Sequence, residues 1–210
     1  MKIESHDLFP VHVKVIDFDD DPTLNDALLH AARTEPELLT STTGKSVLQR
    51  NDVWVERLRG RFDAGLRAYL KDTFPSRTEP FDLEAYVFFN YTNSSSYTPV
   101  HDHLVEADLI AIYYAVAPEI ELSHESSYYT LGGGALVLHD PRPDARTDRR
   151  GVATRDHFRI QPRPNRLVIH PASIRHSVAP SNGFERLAVT CTVTVNRPEL
   201  FEGYVRYRLG

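Results

Sequence analysis

Two periodicities divide the chain. Up to about residue 80 apolar positions recur at helical spacing, and from Leu83 onward they alternate with a period of two. Ahead of the helices, V-H-V-K-V-I alternates and predicts a strand over 11–16. Asp21-Pro22 then supplies an N-cap and a proline at the first helical position, and Leu24, Ala27, Leu28 and Ala31 mark one helix face. A second helix is predicted over 51–74, with Trp54, Leu58, Phe62, Leu66, Tyr69 and Leu70 as its buried stripe. Strands are predicted over 84–91, 97–103, 108–116, 134–139, 165–170, 174–178 and 185–195, separated by Gly, Pro, Asn and Ser clusters. Helices first, then short strands with no helices between them, predict a mainly β fold with supporting helices. The expectation is a single domain over 1–210, with helical support at 18–75 and a curled antiparallel core at 84–195.

Composition narrows the classes. A chain of 210 residues with 41% apolar and 25% charged residues is long enough for one proper core and short for two. A net charge of −5 gives no reason to expect nucleic acid as a partner. The opening M-K-I-E-S-H-D-L-F-P is too polar for a secretory signal, and no apolar run approaches a membrane span. The lone Cys191 permits no internal disulfide, which suits a cytoplasmic protein, and its place in an apolar strand marks it as a buried, inert thiol. Between Pro141 and Arg166 stand eight arginines against three aspartates, a basic stretch in an acidic chain. It reads either as a lid that recognises an acidic small molecule or as a solvated loop whose charges pair with Asp144, Asp148 and Asp156. Nothing in the pattern sets the oligomeric state, and a homodimer is as compatible as a monomer.

The chemistry concentrates in Y-T-P-V-H-D-H, residues 97–103. On an extended strand His101 and His103 share one face and Asp102 the other, so the two imidazoles can hold one metal ion. A lone H-x-H is weak evidence by itself. The strand E-R-L-A-V-T-C-T-V-T-V adds a second feature: Arg186, Ala188, Thr190, Thr192 and Thr194 form a polar face opposite an apolar one. Such a face suits a barrel mouth that grips an anion, since arginine binds a carboxylate bidentately, although a surface strand would show the same pattern.

The order H-x-H, some seventy residues, His176, then Arg186 ten residues on resembles the signature of the iron(II)- and 2-oxoglutarate-dependent oxygenases of the jelly-roll (double-stranded β-helix) fold. The resemblance spans 84–195. N-Y-T-N-S-S-S-Y-T-P-V-H-D-H is similar to the prolyl-hydroxylase-like stretch with a tyrosine, here Tyr91, ten residues before the first metal histidine. I-A-I-Y-Y-A, G-G-G-A-L-V-L-H-D-P-R and R-L-A-V-T resemble the strands that follow, and the H-x-H form looks closest to a branch carrying H-x-H-P, with Leu104 here in place of the proline. The resemblance implies iron(II) at His101, His103 and His176, with Arg186, Thr190 and Tyr114 on the distal carboxylate of 2-oxoglutarate and Tyr91 near that co-substrate. It further implies O2 as the second co-substrate and hydroxylation of a small molecule such as an amino acid or biosynthetic intermediate.

His103 occupies the place where the family carries a carboxylate, and three readings stay open. All three histidines bind; or only His101 and His176 bind, with water; or a nearby acid, Asp102, Asp108 or Asp140, replaces His103. The first is preferred. A three-histidine cupin-type dioxygenase that does not use 2-oxoglutarate is the alternative activity, and a non-enzymatic barrel holding a small acid is a further one. His139 and His170, each ending an apolar strand, read as packing residues with one hydrogen bond, and Gly132-Gly133-Gly134 as a turn rather than a phosphate loop.

Overall fold

The computed structural model describes residues 11–39, 47–94, 96–118, 133–141, 157–195 and 207–209. Strand β1 (Lys14–Asp17) precedes helix α1 (Pro22–Thr34) and, after two short 3-10 turns, helix α2 (Val53–Thr73). Strands β2 (Leu83–Thr92), β3 (Thr98–His101), β4 (Leu109–Val116), β5 (Leu136–His139), β6 (His157–Ile160), β7 (Arg166–Pro171), β8 (His176–Val178), β9 (Arg186–Val195) and β10 (Tyr207–Leu209) follow. They form a six-stranded sheet, β1-β7-β4-β9-β2-β10, and a four-stranded sheet, β3-β8-β5-β6, with every pairing antiparallel. This is the curled antiparallel arrangement that the period-two pattern predicts, and it is the jelly roll that the family resemblance implies.

The helices cover one face of the large sheet. Asp21 caps α1 by accepting the Leu24 N–H at 3.0 Å, and its other oxygen pairs with Arg57 of α2 at 2.8 Å. Beneath the helices lies one apolar cluster that includes Leu28, Phe62, Leu66, Leu187, Val189, Cys191 and Val193. A second cluster, between the two sheets, joins Ile110, Ile112, Tyr114 and Val168 of the large sheet to Leu136, Leu138 and Ile160 of the small one. The alternation of β9 therefore sorts its side chains between two interiors. Its polar face is no surface: Arg186, Thr190, Thr192 and Thr194 are all buried.

Four elements differ from the sequence expectation, one of them β10, which the pattern did not predict. Trp54 is only half-buried at the start of α2, where it meets Phe89 edge-on, and Val55 takes the buried place. Strand β3 stops at His101 instead of running to 103, because Asp102 turns back to accept the Leu104 N–H at 3.3 Å and a helical turn follows. The arginine-rich stretch is not one loop: Arg159 lies in β6, and Arg166 opens β7, where it grips Asp17 of β1 with two hydrogen bonds of 2.7 Å. Residues 142–156 of that stretch lie outside the described residues.

Gly65 is where α2 approaches the sheet most closely. A Cβ there would stand 2.3 Å from Leu167 Cδ2 and 3.2 Å from Ile169 Cδ1. Gly65→Ala should therefore destabilise the chain by about 1–3 kcal/mol despite its higher helix propensity. A urea midpoint equal to or above wild type would show that the helix sits farther from the sheet.

Candidate metal centre

Backbone pairing brings the first two histidines together. In the β3–β8 ladder His101 stands directly opposite His176, and their ring centroids are 4.3 Å apart. His103 arrives by a different route. Past the end of β3 its N–H donates to the Ala172 carbonyl at 3.0 Å, and its ring comes within 5.0 Å of His101 and 5.3 Å of His176. One ring nitrogen from each of the three lies within 4.8 Å of the others.

The hydrogen bonds decide which nitrogen each ring can offer. His101 Nδ1 lies 2.8 Å from the Pro99 carbonyl and His176 Nδ1 3.0 Å from the Ile174 carbonyl, in each case two residues back. His103 Nδ1 lies 3.3 Å from Glu106 Oε2. Carbonyl and carboxylate oxygens only accept, so the proton must sit on Nδ1 in all three rings. Nε2 is left as a bare lone pair, the form in which a neutral imidazole binds a metal.

The acids weighed for the place of His103 do not join this cluster. Asp102 accepts the Leu104 N–H, and Asp108 Oδ2 accepts the Val195 N–H at 2.9 Å, capping the end of β9. Asp140 follows β5 outside the cluster.

The remaining expected residues divide into those aimed into the barrel and one that is not. Tyr114 is fully buried and Arg186 is 5% exposed; among the described residues neither the Tyr114 hydroxyl nor Arg186 Nε makes a well-formed hydrogen bond, and the two side chains lie against each other. The guanidinium carbon stands 5.2 Å from the centroid of the Tyr114 ring. Burial raises the Tyr114 pKa, with the positive charge of Arg186 and a polar contact from its guanidinium opposing that rise. Thr190 lies on the same face and accepts a hydrogen bond from Asn90 Nδ2 at 2.8 Å, so its own proton remains free to donate. The period of two in β2 sends Asn90 inward and turns Tyr91 to the helix side, where its hydroxyl donates to Glu185 at 2.8 Å and the ring packs on the helical core. Together with Asn90 it also lines the small cavity of about 90 Å³ beside Arg186.

Two contributors escaped the sequence reading. His170, placed there as packing, is fully buried, its ring centroid lies 4.9 Å from His176, and its Nδ1 donates to the Pro171 carbonyl at 2.9 Å. The packing role holds, yet Nε2 is buried beside the centre without a hydrogen-bond partner among the described residues. Its pairing with Ile110 of β4 puts it on the inner face, a sidedness that requires the sheet. Gly134 is the second. With φ +68 it begins β5's approach, and a Cβ there would lie 2.5 Å from Arg186 Cδ and 2.9 Å from Nε. Glycine is thus what lets the arginine stem pass. His139, by contrast, bonds Ser177 Oγ at 3.1 Å and takes no part in the cluster.

No family model matches the chain, and no curated protein matches it in sequence. Solved structures do match in fold. A prolyl-4-hydroxylase from Pseudomonas putida superposes with a TM-score of 0.53 over 86% of this chain and 85% of its own, at 16% identity. The viral collagen prolyl hydroxylase of Paramecium bursaria Chlorella virus-1 gives 0.55 over 91% and 96%, at 13% identity. A non-heme alpha-ketoglutarate-dependent epimerase from nogalamycin biosynthesis gives 0.55 over 86% and 77%, at 15% identity. The fold of this chain is that of the 2-oxoglutarate and iron(II) oxygenases.

Burial shapes the titration of the centre. Desolvation, reinforced by the neighbouring imidazoles, pulls His176 down to about 3 and His170 to about 4, against 6.5 for a free ring. Between about pH 6.5 and 4 the unfolded chain therefore binds more protons than the folded one, so stability is complete above that window and falls as pH drops through it. Each ring contributes a slope of up to about 1.4 kcal/mol per pH unit. Urea midpoints of the metal-free protein at about pH 7, about 5.5 and about 4.5 should fall in that order, and His170→Phe should flatten the fall. Equal midpoints would mean that both rings are solvated.

Proposed function

We propose that the chain is an iron(II)- and 2-oxoglutarate-dependent oxygenase that hydroxylates a C–H bond of a small molecule, such as an amino acid or biosynthetic intermediate, with O2 as co-substrate. One observation carries the reading: two complementary sets of unsatisfied groups share a single interior. One set is three imidazoles whose Nδ1 protons are already committed. The other is a buried arginine and tyrosine that face each other, with Arg186 Nε and the Tyr114 hydroxyl left without any other partner among the described residues. Buried polar groups are almost always paired, so an unpaired cation with a hydroxyl at its side fits an anionic ligand.

The donor set fits ferrous iron, since neutral imidazoles suit it and three ligands leave positions open. Iron with 2-oxoglutarate, when bound, supplies the activation of O2 needed to oxidise a C–H bond. The chain's own residues do the rest. His101, His103 and His176 hold the metal through Nε2, each ring locked by its far nitrogen. Arg186 and the hydroxyls of Tyr114 and Thr190 take the distal carboxylate of 2-oxoglutarate. Three neutral ligands leave the full divalent charge in place, and Arg186 adds another, which suits a dianion. Ile112, Leu138 and Ile160, packed between the sheets, keep that interior dry.

A three-histidine cupin-type dioxygenase without 2-oxoglutarate is favoured by the same donor set, but it leaves Arg186 and Tyr114 with nothing to bind. Anaerobic addition of ferrous iron and then 2-oxoglutarate separates the two readings, because only the first produces the visible charge-transfer band of the chelate. Arg186→Met should weaken 2-oxoglutarate by about 30-fold, or ~2 kcal/mol, while leaving ferrous binding intact. Gly134→Ala, which pushes a methyl group into the arginine stem, should act in the same direction. Iron binding without a band at any 2-oxoglutarate concentration would sink the proposal in favour of the cupin-type reading.

A further inference from the structure

Three histidines leave the centre without the carboxylate that a two-histidine, one-carboxylate site carries. We propose that Glu106 supplies the missing negative charge from the far side of His103, as a positioning residue for that ligand; the inference rests on the three-histidine centre proposed above.

Residues 103–107 form one helical turn, in which the Glu106 and Ala107 N–H groups both donate to the His103 carbonyl, at 2.9 and 3.0 Å. Three residues on along such a turn a side chain comes back over the first. Glu106 Oε2 accordingly stands 3.3 Å from His103 Nδ1. The same oxygen accepts the hydroxyl proton of Tyr86, on β2, at 3.2 Å. Tyr86 is 5% exposed and lies opposite Thr192 of β9, so the carboxylate is held from the barrel wall as well as from its own turn.

The three ligands are consequently unequal. His101 and His176 give their Nδ1 protons to neutral backbone carbonyls, whereas His103 gives its proton to an anion. A carboxylate on the far nitrogen makes an imidazole a stronger donor and sets a negative charge one ring away from the metal. His103 stands where related centres carry their carboxylate, so the charge removed at 103 returns at 106. The Glu106 side chain is 44% exposed, which screens part of the charge, while His103 at 12% sits on the dry side of the pair.

The test is a mutant cycle read by binding of ferrous iron alone, without 2-oxoglutarate or turnover. Anaerobic calorimetry is run on wild type, Glu106→Gln, His103→Asp and the double variant, with circular dichroism and urea midpoints confirming that each is folded. Glutamine keeps the size and a hydrogen-bond acceptor but not the charge. Glu106→Gln should raise the ferrous Kd by about 10–100-fold, the range for loss of such an outer partner. In the His103→Asp background, where a carboxylate binds directly, the same change should cost less than about threefold. A Glu106→Gln Kd within about twofold of wild type, or an equal loss in both backgrounds, overturns the inference and leaves the three-histidine centre standing. Absence of ferrous binding by the wild-type chain overturns the centre itself and Glu106's role with it.

Discussion

Two backbone carbonyls, those of Pro99 and Ile174, govern what His101 and His176 can do. Each takes the proton of a ring two residues further on, and by doing so empties the opposite nitrogen. The ladder between β3 and β8 then sets the two rings side by side across 75 residues of chain, so tautomer and position come from one piece of antiparallel backbone. His103 needs the turn that follows β3, and the turn exists because Asp102 and the N–H groups of 106 and 107 break the strand at that point. A longer strand would have carried His103 on past the site.

The interior that receives these rings is built against stability. Tyr114 Oη, Arg186 Nε, Thr192 Oγ1 and His170 Nε2 are all buried, and none makes a well-formed hydrogen bond among the described residues. Each such atom costs of order 1–3 kcal/mol relative to a satisfied one. Four such atoms on the inner face of one sheet are better explained by ligands than by careless packing. The apolar half of β9, with Leu187, Val189, Cys191 and Val193 beneath the helices, anchors the strand whose other half carries them. Helices, large sheet and site are thus one assembly: the core under α1 and α2 holds the sheet, and the sheet holds the polar groups in place.

Much of this was legible in the sequence because period and spacing report local geometry. The change from helical spacing to alternation at Leu83 marks the boundary between support and barrel, and the two faces of 186–195 separate as the strand does. The order of His101, His103, His176 and Arg186 also survives translation into space, since each sits at or beside a strand end. What the pattern left open was sidedness. Tyr91 and Asn90 differ by one residue, and only the pairing of β2 with β9 tells which of them faces inward. The nearness of His170 to the centre and the place of Glu106 were out of reach for a related reason: one needs a neighbour across the sheet, and the other needs the turn at 103–107 that the extended reading of 97–103 denied. Short β6 was hidden among arginines, where charge masks alternation.

The account stands on three imidazole nitrogens meeting at one ion. X-ray absorption at the iron edge of the ferrous protein counts imidazole rings directly, through the multiple scattering of their outer atoms. Three rings in the wild-type chain, falling to two in His103→Asp, is the result expected. Two rings in both proteins would remove His103 from the centre and return the choice to water or an acid.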